Sequence, residues 1–172
     1  MSYKQHIGTE SNLRGQKAED DFFVLLKERH PDARAATMDE QFKHIDYVWS
    51  KGSIDVKAMK ALSRGSSTQN DLIWVEFKNN TGADGWLFGE QDFVAFEEPD
   101  RYTVVPRKTL ATLCELFCRL DEKVHSPRDA LYKSYTRSGK KDVISIVKME
   151  DIKKLRHWVI PKKPSAGAQT TL

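Results

Sequence analysis

Long apolar runs are missing from this chain of 172 residues. Nowhere do the ~20 consecutive apolar positions needed to span a bilayer occur, and the opening MSYKQHIGTE carries no apolar signal core. Cysteine is scarce: Cys114 and Cys118 stand four apart in a helical pattern, with no second pair of ligands elsewhere. That argues against a disulfide framework and against structural zinc, and the expected setting is cytoplasmic and reducing. No Gly-rich phosphate loop ends in Lys-Ser/Thr, no Ser/His/Asp or Cys/His set stands out, and no segment repeats. One-sided charge is lacking too. A net charge of +3 permits nucleic-acid contact without demanding it, because a local patch matters more than the total. What remains, with 39% hydrophobic and 31% charged residues, is the composition of one folded domain.

The most informative stretch is 43–60, KHIDYVWSKGSIDVKAMK. Ile45, Tyr47 and Trp49 alternate with His44, Asp46 and Val48, the period of a half-buried strand. Lys51-Gly52 supplies a turn, after which Ile54, Val56 and Ala58 alternate with Asp55, Lys57 and Met59. Residues two apart in a strand share a face, so Asp55 and Lys57 point the same way, and an aligned hairpin brings Asp46 close to both. Two carboxylates and an ammonium converging on a strand surface suit a divalent cation beside a water molecule. The plainer alternative is a surface ion-pair cluster.

An acid on one strand followed by acid-x-Lys on the next, here Asp46 and then Asp55-Val56-Lys57, resembles the PD-(D/E)XK nuclease superfamily of restriction endonucleases and Holliday-junction resolvases. The resemblance covers roughly 11–110, and Ile45 stands where the family name places proline. It implies an α/β fold, a small mixed β-sheet flanked by helices; the chain beyond it reads as a C-terminal β/α accessory segment. It also implies a Mg²⁺- or Mn²⁺-dependent phosphodiesterase acting on DNA, endonuclease before exonuclease, with RNA left open and a homodimer compatible. Asp46, Asp55, the Val56 carbonyl and Glu19 would hold metal, and Lys57 would act beside the attacking water. The competing reading is a catalytically silent nucleic-acid-binding or protein-interaction module on the same fold; a third is an unrelated α/β protein.

Around this hairpin the chain divides into a loose 1–10, a domain over 11–160 and a tail over 161–172. The domain has its core at about 11–120 and the accessory segment at about 121–160. A helix from Ser11 or Asn12 to about Glu28 carries Glu19 at the edge of its apolar face. Glu19 is either a third acid of the site or a solvated member of the Glu19-Asp20-Asp21 cluster. Residues 34–42 read as an irregular strand and 61–70 as a polar loop, where Lys60 and Arg64 are candidates for phosphate contact. In the strand 72–78, Glu76-Phe77-Lys78 is a second acid-x-Lys, so Asp55, Glu76 and Lys78 form an alternative register. The hairpin register is preferred for its compactness. Trp86 lies in a turn-rich segment and either stacks on a base or plugs the core, and Gln91 follows where some family members place a glutamine near the cleft. Residues 102–105 read as a strand, about 109–120 and 151–158 as helices, and 143–147 as a strand. Arg137, Lys140 and Lys141 form a basic turn suited to phosphate.

Overall fold

The computed structural model describes residues 10–63 and 65–163. The loose ends expected over 1–10 and 161–172 therefore fall largely outside the described residues, and Arg64 does so entirely. Helix α1 (Glu10–Arg29) buries Ala18, Phe22, Leu25 and Leu26, a single stripe at helical spacing. Next come β1 (Arg34–Ala35), α2 (Met38–Phe42), β2 (Tyr47–Trp49) and β3 (Gly52–Lys57), then the short pair β4 (Lys60–Ala61) and β5 (Thr68–Gln69). Strand β6 (Leu72–Lys78) leads to a 3-10 turn at Trp86–Phe88. Beyond it lie β7 (Phe93–Glu97), β8 (Arg101–Pro106) and α3 (Arg107–Phe117). The last elements are β9 (Arg119–Val124), β10 (Lys133–Tyr135), β11 (Val143–Lys148), α4 (Met149–Ile152) and β12 (Trp158–Pro161). None of the described helices is long and apolar enough to cross a membrane.

The central sheet has the order β1-β2-β3-β7-β8-β12, antiparallel throughout except for the parallel β3–β7 pair. A parallel pair needs a long crossover, and residues 58–92 provide it, carrying β6 into a second sheet of order β6-β11-β10-β9. Each face of the central sheet is covered. On one, Phe22, Leu25 and Leu26 of α1 pack against Tyr47, Ile54, Val56 and Tyr102. On the other, Val94, Phe96 and Val105 meet Leu110 and Cys114 of α3, Val75 and Phe77 of β6, and Trp86. The chain is thus a mixed α/β protein, as its periodicities imply, but with a second sheet covering what the sequence assigned to helices.

Four local expectations are corrected. The irregular strand at 34–42 is two strand residues and then a helix, because the Thr37 hydroxyl accepts from the Glu40 amide while the Glu40 carboxylate accepts from the Thr37 amide. The 61–70 loop holds a two-residue ladder, Lys60 with Gln69 and Ala61 with Thr68. The helix expected over 151–158 ends at Ile152, and Trp158 instead begins an edge strand paired with β8, where Pro161 costs no ladder bond. Residues 121–160, expected as an accessory, complete both sheets.

Candidate active site

Strand β3 is where the hairpin opens. Toward β7 its pairing runs unbroken from Ile54 to Lys57, but toward β2 it stops at Ile54. The Val56 amide is left without a ladder partner on that side, and the Asp46 carboxylate takes it at 2.8 Å. Asp46 reaches it through a local irregularity: its own amide donates to the Ile54 carbonyl at 2.9 Å, while the Cα partner of Ile54 is Tyr47. Two residues facing one is the signature of a β-bulge, a device that re-aims side chains.

Alternation along β3 then divides its residues. Ile54 and Val56 enter the core beneath α1, so Ser53, Asp55 and Lys57 face the second sheet. The Asp55 side chain is only 6% exposed, and the Lys57 ammonium lies 2.6 Å from its Oδ2. The approach is off the direction of a hydrogen bond, and Oδ2, fully enclosed, has no aligned donor. Burial drives the Asp55 carboxyl pKa up to about 8; the Asp46 charge adds to that and the Lys57 ammonium opposes it. A buried acid beside a second carboxylate is under-compensated by one lysine. A cation would correct that deficit.

The wall behind Lys57 is Trp86, whose ring centroid lies 5.0 Å from the ammonium. Trp86 is 7% exposed and meets Phe96 edge-on, so of its two sequence readings the core plug is the one observed. Gln91 is 1% exposed and likewise offers nothing to a nucleic-acid surface. Its Nε2 donates to the Trp86 carbonyl at 2.7 Å, fixing the 3-10 turn. Gly89 is required beside it, since a Cβ there would collide with Gln91 Oε1 and lie 2.9 Å from the Lys43 carbonyl oxygen. His44, given no role by the sequence, is half-buried next to the pair. Its pKa is lowered by burial first and then by the Lys57 charge, with Asp46 opposing.

The remaining sequence candidates stand on other elements. Glu19 is half-buried on α1 near Tyr47, whose hydroxyl pKa is raised by burial first and then by the Glu19 and Asp46 charges. Among the described residues no three His, Cys, Asp or Glu side chains close on one point. Glu76 and Lys78 lie on β6, in the other sheet. Lys78 is held by Asp84 at 2.5 Å, and Glu76 packs its methylene against Gly85, where a Cβ would come within 2.8 Å of Cγ. Lys60 stands within electrostatic reach of Lys57, Glu76, Asp55 and Arg137, and burial of its ammonium first, then the Lys57 charge, lowers its pKa. Arg137 pairs with the fully buried Asp142, which fastens the basic turn. Lys140 and Lys141 are exposed there beside Gly139 at φ +69°.

The sequence could have flagged the Trp86–Gln91 support only through the glycines around it. Gly85 and Gly89 mark places where backbone and side chain approach too closely for a Cβ. No family model, curated protein or solved structure matches the chain.

Proposed function

We propose that the chain is a metal-dependent nuclease that hydrolyses phosphodiester bonds in DNA, built on a restriction-endonuclease-like core. The observation that carries this reading is Asp55: an enclosed carboxylate with Asp46 at its side and a single ammonium, that of Lys57, in contact with it. These residues fit a hard divalent cation. Asp46, Asp55 and the Val56 carbonyl would hold Mg²⁺ or Mn²⁺, with water in the remaining positions, since such ions take oxygen ligands. The ion supplies an activated water and neutralises phosphate charge.

The chain's own groups do the rest. Lys57, backed by the Trp86 ring, offers its ammonium to the negative charge that develops on the phosphoryl oxygens. The bulge at Asp46 and the ladder to β7 fix the two carboxylates on rigid backbone. Buried walls on both sides keep the dielectric low, which strengthens each of these charge interactions. Lys60 and the turn carrying Lys140 and Lys141 supply positive charge for the phosphates of a bound strand.

The test is cleavage of labelled single-stranded, duplex and four-way-junction DNA in Mg²⁺, Mn²⁺ or EDTA. Metal-dependent cutting that disappears in Asp55→Asn and Lys57→Ala is the expected result. A second reading, the catalytically silent binding module, draws on the Lys57–Asp55 contact being closed on itself. DNA binding without cutting under every metal condition would establish it.

A further inference from the structure

At the turn end of the β2–β3 hairpin, on the face of β3 opposite Asp55, a separate cavity of about 320 Å³ opens beside α1. That is the small end of the ~300–1,000 Å³ range of ligand pockets. Five rings line it: the buried Phe22, with His30, Trp49, Phe93 and Trp158. Phe93 is central. Trp49 lies over it at 5.9 Å and Trp158 meets it edge-on at 4.9 Å, while no ring contact joins the two indoles. Trp49 is stacked on Phe93 with their planes 28° apart, whereas Trp158 stands at 76° to Phe93, so the indoles are not parallel and Trp158 is the upright wall of the cavity. His30 stacks on Trp49 at 5.6 Å. Trp158, on the edge strand, is 39% exposed.

The rim is basic. Arg29 and Lys51 line the cavity. Among the described residues neither has a carboxylate partner; Arg29 donates only to the Leu25 carbonyl of its own helix, at 3.0 Å. The nearby acids are already engaged by backbone. Asp32 accepts from the Ser50 amide at 2.6 Å, and Asp92 from the Ser53 amide at 2.9 Å. An apolar ligand would leave the two cations unused, and a bare anion would leave the indoles unused. A flat aromatic group joined to an anion uses both.

We propose that this cavity binds a nucleotide, with its base stacked on the exposed Trp158 and its phosphate at Arg29 and Lys51. The site is independent of the metal site, and its occupancy requires no cleavage. It is tested by titrating the full chain in EDTA with deoxyadenosine monophosphate and, separately, with a short oligodeoxyadenylate, following tryptophan fluorescence at low and high salt. Saturable quenching that weakens with salt is expected, and Trp158→Ala and Lys51→Glu should each weaken it about tenfold. Binding of the mononucleotide as well as the strand supports a pocket for free nucleotide. Binding of the strand alone supports a seat for one unpaired nucleotide within it. Absence of saturable quenching, or quenching unchanged in both variants, overturns the proposal. So does equal binding of uncharged indole that ignores Lys51→Glu. Lys51 is exposed and unpaired, so that variant remains informative if Trp158→Ala fails to fold. Because the titration is run without metal, its failure leaves the nuclease reading standing, and the reverse also holds.

Discussion

Two strands of this protein carry the same short pattern, an acid, an apolar residue and a lysine, and the fold treats them oppositely. Asp55-Val56-Lys57 lies on β3, an interior strand of the central sheet, paired there with β7. Glu76-Phe77-Lys78 lies on β6, at the edge of the second sheet. In the first, the side chains of acid and lysine are 6% and 23% exposed and touch each other. In the second, the lysine turns away to Asp84, with both partners well exposed at 45% and 66%. The pattern itself therefore carries little chemistry. Burial gives it force, by raising the cost of an uncompensated charge until a proton, an ammonium or a metal must answer it.

The largest expected difference between the strands is in turnover. Asp55→Asn should lower metal-dependent DNA cleavage by on the order of 10²-fold or more, the scale seen when a group aimed at reaction charge is removed. Glu76→Gln should stay within a few-fold of wild type. Single-turnover rates on the best of the three DNA substrates measure both. Equal losses would show that β6 shares the site, and loss in Glu76→Gln alone would move the site there.

Stability should separate the strands next, with a definite sign. In EDTA, the folded Asp55 carboxyl titrates near pH 8 against an ordinary value of 3.8. The folded state thus holds this proton more tightly than the unfolded state does. Below about pH 4 both states are protonated and no penalty exists. From there to about pH 8 the unfolded chain ionises first, so wild-type stability falls by up to ~1.4 kcal/mol per pH unit, and above pH 8 the penalty is constant. Asp55→Asn should abolish that slope and be more stable than wild type at pH 8 by on the order of a few kcal/mol, a site kept at the expense of stability. Glu76→Gln should leave the slope in place. Urea unfolding at a series of pH values would show this, and a wild-type slope of zero would remove the argument for a strained Asp55.

A smaller effect follows from the same proton. Binding of Mg²⁺ at Asp55 must displace it, so millimolar Mg²⁺ should raise the wild-type Tm by a few degrees, more at pH 9 than at pH 6. The variant Asp55→Asn should respond at neither pH. Differential scanning fluorimetry with and without EDTA is sufficient.

How much of this contrast was legible beforehand depended on whether the deciding contacts were local. The alternation through 44–59 and the Lys51-Gly52 turn announce the hairpin, and Ala18, Phe22, Leu25 and Leu26 announce the buried face of α1. The signal for α2 was equally local, a threonine with glutamate three residues on, and passed unread because the segment is only five residues long. No comparable signal says which sheet a strand joins. Strand β6 leaves the hairpin's sheet because β7 takes the place beside β3, a pairing set by residues nearly 40 positions apart such as Ile54 and Phe93. Trp158 looked like the end of a helix because its partner, Val104, is equally remote. Trp86 stayed open between base stacking and a core plug, and Gln91 was placed near the cleft, because loop composition says nothing about what packs over a loop.

The smallest expected effect compares the two lysines directly. Lys57 lies between a buried carboxylate and the Trp86 ring, whereas Lys78 meets Asp84 in solvent. Screening and side-chain entropy leave an exposed pair only ~0.2–1 kcal/mol. The Lys57 ammonium meets a carboxylate that has little other compensation, so its coupling should be larger. Double-mutant cycles isolate each term, using Lys57→Met with Asp55→Asn and Lys78→Met with Asp84→Asn, by urea unfolding at pH 9 in EDTA, where Asp55 is ionised. The first cycle should give a coupling of about 1.5–3 kcal/mol, the range of hydrogen bonds to charged groups, and the second should stay below about 0.5 kcal/mol. At pH 6, with Asp55 protonated, the first coupling should shrink toward the second. A β3 coupling that is small at both pH values would mean that Lys57 does not answer the Asp55 charge, and the two strands would then differ in burial alone.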